Sequence, residues 1–127
     1  MGQGQIVDYN TDKLIVKDIK TFVGYINSGN YYRGQVLKFN GTSWVDASTS
    51  ISVFDETDGV IKLGIFLGAG LTPAGSPKTS AIAFNDAIIV FGDVYEGGIV
   101  KADGTPLTLS EADKVELMKS GIFVRRI

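Results

Sequence analysis

The chain of 127 residues contains no cysteine and no histidine. The first absence removes disulfides, thiolate nucleophiles and cysteine-based zinc sites, and it leaves the redox compartment undetermined. The second removes the side chain on which most general-base catalysis and most transition-metal sites rely. Only 3 prolines are present, against 16 glycines, so turns must be made mainly by glycine with Asn, Asp and Ser. No apolar run approaches the length of a membrane span. The N-terminus, Met1-Gly2-Gln3-Gly4-Gln5-Ile6, lacks the basic and apolar regions of a signal peptide. It also carries Ile6 where a myristoylation motif needs Ser or Thr. Net charge is -2, with Lys and Arg scattered, so there is no electrostatic footprint for nucleic acid. These exclusions point away from catalysis and toward a scaffold.

What is present reads as β-structure. The length suits one domain with a real core. Met1 to about Asp12 is polar and without helical period, and is expected to be a mobile arm. Lys13 to Lys17 is a short β-branched run, expected as an edge strand or one that forms against a partner. Thr21 to Ile26 is the next expected strand. The organising stretch is Ser28 to Phe39, a polar glycine-bearing turn that runs through Arg33-Gly34 into Gln35-Val36-Leu37-Lys38-Phe39. Asn40-Gly41 then separates this run from Thr42-Ser43-Trp44-Val45, which predicts a hairpin with a type I′ turn.

Downstream, Val60 to Leu67 has the apolar character of a strand buried on both faces. Strands are expected at Ala87 to Phe91 and Val94 to Val100, and a turn at Asp103-Gly104. One helix is expected. Ser110 and Asp113 have capping-box spacing, Ala112, Val115 and Met118 with Leu117 form its apolar face, Lys119 lies in its last turn, and Gly121 is its C′ residue. Ile122-Phe123-Val124 closes the chain as a final strand. The fold class expected is mainly β with one short C-terminal helix, a β-rich α+β domain over residues 21–127 behind an arm at 1–20.

Four stretches invite functional readings. Gly68 to Gly75 resembles a phosphate-cradling loop but lacks the Gly-Lys-Ser/Thr ending, and its prolines oppose a following helix. Asp55, Glu56 and Asp58 supply only part of a calcium ligand set and read as a solvated turn. Tyr31, Tyr32, Phe39 and Trp44 suit a stacking platform for sugars or bases, yet hairpin aromatics more often pack across strands. Arg125-Arg126 suits acids on a partner and equally a solvated chain end. No catalytic, cofactor-binding or metal-ligating set emerges.

Taken in order, these elements resemble the head decoration proteins of tailed bacteriophages, the lambda D-like capsid-stabilising family. The resemblance rests on Ser28-Gly29, Arg33-Gly34-Gln35-Val36-Leu37, Trp44-Val45, Asp58-Gly59, Leu63-Gly64-Ile65-Phe66-Leu67, Val90-Phe91-Gly92-Asp93-Val94, and the ending Leu117 through Gly121-Ile122-Phe123-Val124-Arg125. It spans roughly Phe22 to Arg126, and departs from the family around Ser48 to Phe54 and Gly68 to Lys78.

The resemblance implies a β-tulip-type domain that assembles as a homotrimer on the outer surface of the virion. It also implies synthesis in the host cytoplasm and the major capsid protein as partner, with no cofactor, nucleic acid, membrane or small-molecule substrate. The implied mode is β-augmentation by the arm, with Ile6, Leu14 and Val16 as its contacts. Arg33, Gly34, Asn40, Gly41, Trp44 and Gly121 are its fold-defining residues. Two other readings stand beside it: a small β ligand-binding module, carbohydrate-binding or a phage tail accessory domain, and an enzyme using only carboxylates such as Asp55 or Glu56.

Overall fold

The computed structural model of the chain describes residues 14–51, 62–68 and 75–126. Its strands are β1 (Ile15–Ile26), β2 (Gly29–Tyr31), β3 (Val36–Phe39), β4 (Trp44–Asp46), β5 (Lys62–Phe66), β6 (Lys78–Ser80), β7 (Phe84–Tyr95) and β8 (Ile122–Arg125). The one α-helix described, α1, spans Glu111–Lys119. The described residues are therefore mainly β with a single α-helix near the C-terminus, as expected.

The main sheet runs β1-β4-β3-β5-β7-β8, and β1 also pairs with β7. That extra pairing closes β1, β4, β3, β5 and β7 into a ring and leaves β8 outside it. Closure removes the free edges that an open sheet would expose. Each ring strand sends one large side chain inward: Ile26, Trp44, Leu37, Phe66 and Ile88 form one buried cluster. At Gly24 and Gly64 an added Cβ would lie 2.7 and 2.6 Å from Ile88 atoms, so glycine leaves the room that Trp44 and Ile88 fill. The ribbon of β2 with β6 brings Tyr31 over one end of this cluster. Its ring lies 5.9 Å from Phe66 and 5.8 Å from Phe84, distances suited to tilted aromatic packing.

Successive residues in a strand face opposite ways, so the same strands build a second core. Val36, Leu63, Ile65, Ile89 and Val94 meet Leu14, Ile99, Leu109, Leu117 and Ile122. This outer core is aliphatic and is roofed by α1 and the C-terminal segment. The capping box forms, with Ser110 Oγ accepting from Asp113 N and Asp113 Oδ2 accepting from Ser110 N. Gly121 has φ +92, the left-handed geometry of a C′ residue.

Several sequence expectations are corrected. The runs 13–17 and 21–26 are not separate strands. Residues 15–26 form one strand, β1, which pairs with β7 from Ile15↔Val94 to Ile26↔Phe84. It bends at Asp18, with φ +57, opposite Gly92, where an added Cβ would lie 2.6 Å from Ile19 Cα. Residues 15–20 thus belong to the domain's sheet and not to an arm.

The hairpin is present, but Phe39 pairs with Trp44, so its loop has four residues. Asn40 Oδ1 accepts from Thr42 N and Ser43 N, and only Gly41 of the Asn40-Gly41 pair has positive φ, so the turn is not type I′. Likewise 94–100 is not a strand of its own. Val94 and Tyr95 finish β7, and a single 3-10 turn at Glu96–Gly98 follows.

Candidate interaction surface

The polar groups of the described residues serve the fold. Arg33 Nη1 donates to Leu67 O at 2.6 Å. Gly34, with φ +95, donates its N–H to Phe66 O and accepts from Val100 N, and an added Cβ would sit 2.0 Å from Gly98 O. Only glycine tolerates that approach. Buried Gln35 joins the same knot: its Oε1 accepts from Tyr32 N and its Nε2 donates to Asp46 Oδ1 at 3.0 Å. Burial, and to a smaller degree the Asp46 charge, raises the pKa of Tyr31 above its ordinary value. The expectation that Arg33-Gly34 anchors the fold therefore has a physical basis at this crossing of three segments.

The charged side chains follow the same pattern. Arg125 donates through Nε and Nη2 to Asp93 Oδ2, and Arg126 Nε lies 3.9 Å from Glu96 Oε1. Both arginines are exposed at the chain end, as the solvated reading expects, and each also reaches an acid of its own chain. Asp103 Oδ1 accepts from the Thr105 N–H and hydroxyl, which lowers its pKa and closes the predicted turn. Among the described residues no group of three or more acidic side chains is arranged to hold a metal ion. The acidic run at 55–58 and residues 69–74 of the loop at 68–75 lie outside the described residues.

Lys62 is the feature that sequence reading missed. Its ammonium donates to the carbonyls of Leu63 at 3.1 Å and Val90 at 2.9 Å, and to Ser120 O at the end of α1. Ser120 Oγ in turn accepts from Leu63 N. The lysine thus ties β5, β7 and the helix C-terminus together, where a cation also complements the helix dipole. Burial lowers its pKa below the ordinary 10.5. The available signal was a lone lysine inside the apolar run Val60 to Leu67.

The aromatic set does not form a platform. Tyr31 and Trp44 are buried, Phe39 packs on Trp44 with ring centroids 5.7 Å apart, and Tyr32 is half-buried. Of the expected arm contacts, Ile6 lies outside the described residues and Val16 is half-buried in β1. Leu14 is 2% exposed within the outer core, and its carbonyl accepts from Tyr95 N at 2.8 Å. It is a core residue, because the chain has already joined the sheet at this point.

The surface itself is where apolar groups remain unused. Val23, Tyr25 and Phe22 on β1 are exposed, and Ile82 is 74% exposed at the turn between β6 and β7. That turn is pinned by Ser80 Oγ, which donates to Ile82 O at 2.6 Å, so Ile82 is held outward by a fixed loop. A second group lies around α1 and β8. Val115, Met118, Phe91 and Phe123 are all exposed, and Phe91 meets Phe123 edge-on at 5.8 Å. This reverses the expected helix face: Leu117 is buried, while Ala112, Val115 and Met118 face outward. Leu117 and Ile122 share the outer core, and that contact sets the rotation of a helix with so few apolar residues.

No protein-family model matches this chain, and neither does any curated protein or solved structure.

Proposed function

We propose that this chain is a non-enzymatic capsid decoration protein of a tailed bacteriophage, which binds the outside of the head as a homotrimer and cements the expanded shell. The reading rests on the ordered motifs from Ser28 to Arg125 and agrees with a mainly β domain that ends in a helix, Gly121 and a strand. The observation that carries it is the division of labour in the molecule. The polar network around Arg33, Gly34 and Gln35 is turned inward, while apolar side chains stand exposed on β1, on the β6-β7 turn, and around α1 and β8. Exposed apolar groups on two parts of a small rigid body suit burial against neighbouring copies and a shell.

In this reading residues 1–12 bind the major capsid protein by strand addition. The main chain supplies affinity and alternate side chains such as Ile6 supply fit. Ordering such a segment costs roughly 1–2 kcal/mol of backbone entropy per residue. Three arms on one trimer offset that cost through effective concentration.

Two measurements test the proposal. Light scattering over a concentration series is expected to give a trimer mass. A capsid pull-down is expected to retain the full chain and lose a chain lacking Met1 to Asp12, with both proteins folded. Equal retention of the two would refute the role assigned to the arm.

A further inference from the structure

We infer that the turn carrying Ile82 seats in the groove between α1 and β8 of a second copy of this chain, and that three such head-to-tail contacts close the trimer. The inference rests on the trimer of the decoration reading and names the contact that builds it. Three observations carry it.

First, the turn between β6 and β7 has the wrong chemistry for a free loop tip. Tight turns are ordinarily made of Gly, Pro, Asn, Asp and Ser. Here Ala81-Ile82-Ala83 makes the tip, with Ala81 and Ile82 exposed. The tip is also fixed. Ser80 Oγ donates to Ile82 O at 2.6 Å, and β6 is paired with β2 up to Ser80. A large apolar side chain held outward by a rigid turn loses little freedom when it is covered.

Second, a groove of matching character lies elsewhere on the molecule. It has a volume of about 240 Å³ and is lined by Glu111, Lys114, Val115 and Met118 of α1 and by Phe123 and Val124 of β8. Val115, Met118 and Phe123 are exposed, and Phe91 extends the apolar surface edge-on from Phe123. The volume falls below the roughly 300–1,000 Å³ of small-molecule pockets and suits one or two protein side chains. Charge agrees as well. Lys78 is exposed beside the turn, its ammonium 5.3 Å from the Phe84 ring centroid. Glu111 stands at the groove with its side chain 92% exposed, while Lys114 is shared with Glu96. A basic group beside the knob thus meets an acidic group beside the hole.

Third, the two features cannot meet within one molecule. The turn leads into Phe84 at the start of β7, whereas Phe123 pairs with Asp93 near its end. From Phe84 to Asp93 a strand rises up to about 30 Å, at about 3.3 Å per residue. Knob and groove therefore meet only between copies, through unlike patches. Such a contact is heterologous, and it forms a closed ring when its rotation permits. Val23 and Tyr25, exposed on the same face of β1, flank the knob, since Tyr25 pairs with Asn85 just beyond the turn.

The test is light scattering over a concentration series on the full chain and two variants, each changed at an exposed position. Ile82→Asp removes the knob and keeps the groove; Met118→Glu does the reverse. Where the parent is a trimer, each variant alone is expected to be a monomer, with its amide NMR spectrum unchanged away from the substitution. Mixed together, the two are expected to form a species of two copies. The intact turn of Met118→Glu enters the intact groove of Ile82→Asp, and neither can extend the chain further. In that mixture, amide shifts of labelled Met118→Glu are expected at Ala81 and Ile82.

A variant that stays trimeric beside a trimeric parent would overturn the contact and leave the trimer itself standing. A mixture that stays monomeric would overturn it too. A parent that is monomeric, or that stops at two copies, would overturn both the contact and the trimer. Capsid retention of the parent, measured separately, decides the decoration reading.

Discussion

The two cores of this protein use the same strands in opposite ways. Inside the ring, Trp44, Phe66 and Ile88 fill a closed space walled all round by hydrogen-bonded strands, and Gly24 and Gly64 leave the room that admits them. Outside it, Val36, Leu63, Ile65 and Ile89 lie under a removable roof of α1, Leu109 and Ile122. The inner core is aromatic and shape-defined; the outer core is aliphatic, and its roof is held by few contacts. Leu117 is the only buried residue of α1, so the bonds of Lys62 and Leu63 to Ser120 at its C-terminal end do much of the holding. A strand ring tolerates little change in volume, whereas a helix resting on a sheet can settle.

Substitutions graded by effect would break or sharpen that contrast. Trp44→Ala should be the most damaging, at about 3–5 kcal/mol by chemical denaturation, because closed strands cannot collapse into the cavity. A value close to that of an outer-core truncation would erase the distinction. Leu117→Ala should cost about 2–4 kcal/mol, the helix settling partly into the gap. Its larger signature should be faster hydrogen exchange confined to α1 and β8, with β3 and β5 unaffected.

Lys62→Met should cost about 1–3 kcal/mol, since three carbonyls lose their shared donor. It also predicts a pH effect of definite sign. The folded pKa of Lys62 lies below its ordinary 10.5. Between those two values the unfolded chain keeps a proton that the folded chain has released, so the lysine's contribution makes stability rise with pH. Below the folded pKa that slope is absent. The difference in stability between the parent and Lys62→Met should therefore vary with pH only in this alkaline window. A difference that stays flat there would show that burial leaves this ammonium unperturbed.

Ser110→Ala should cost about 1 kcal/mol through loss of the N-cap, again localised to α1. Arg125→Ala should cost at most about 1 kcal/mol, because the guanidinium is more than half exposed despite its two bonds to Asp93.

Much of this architecture was legible without coordinates because local chemistry dictates it. The Ser110 to Gly121 helix carries its own start and stop signals, and Asp103-Gly104 closes its turn through a side chain two residues away. The hairpin after Phe39 was legible as a hairpin. Its loop type was not, because pairing of Phe39 with Trp44 and capping by Asn40 override the usual Asn-Gly geometry. The joining of residues 84–95 into one strand was hidden for a similar reason: Gly92 reads as a strand break, but it stays within β7 and gives Asp18 and Ile19 of distant β1 the room to approach.

The candidate surface was less legible still. Leu14 read as an arm contact because a short apolar run looks the same on an arm and in a core. Val115 and Met118 read as buried because helical spacing defines a face without saying which face meets the sheet.

The sequence by itself determined the mainly β character, the hairpin after Phe39, the capped helix and the exclusion of cysteine and histidine chemistry, all of which depend on composition or on residues close together in the chain. Ring closure, the two cores, the rotation of α1 and the partners of Lys62, Arg125 and Leu14 were decided only by the tertiary structure. Each of these depends on contacts between distant segments, whose free energy belongs to the pair and is written in neither sequence alone.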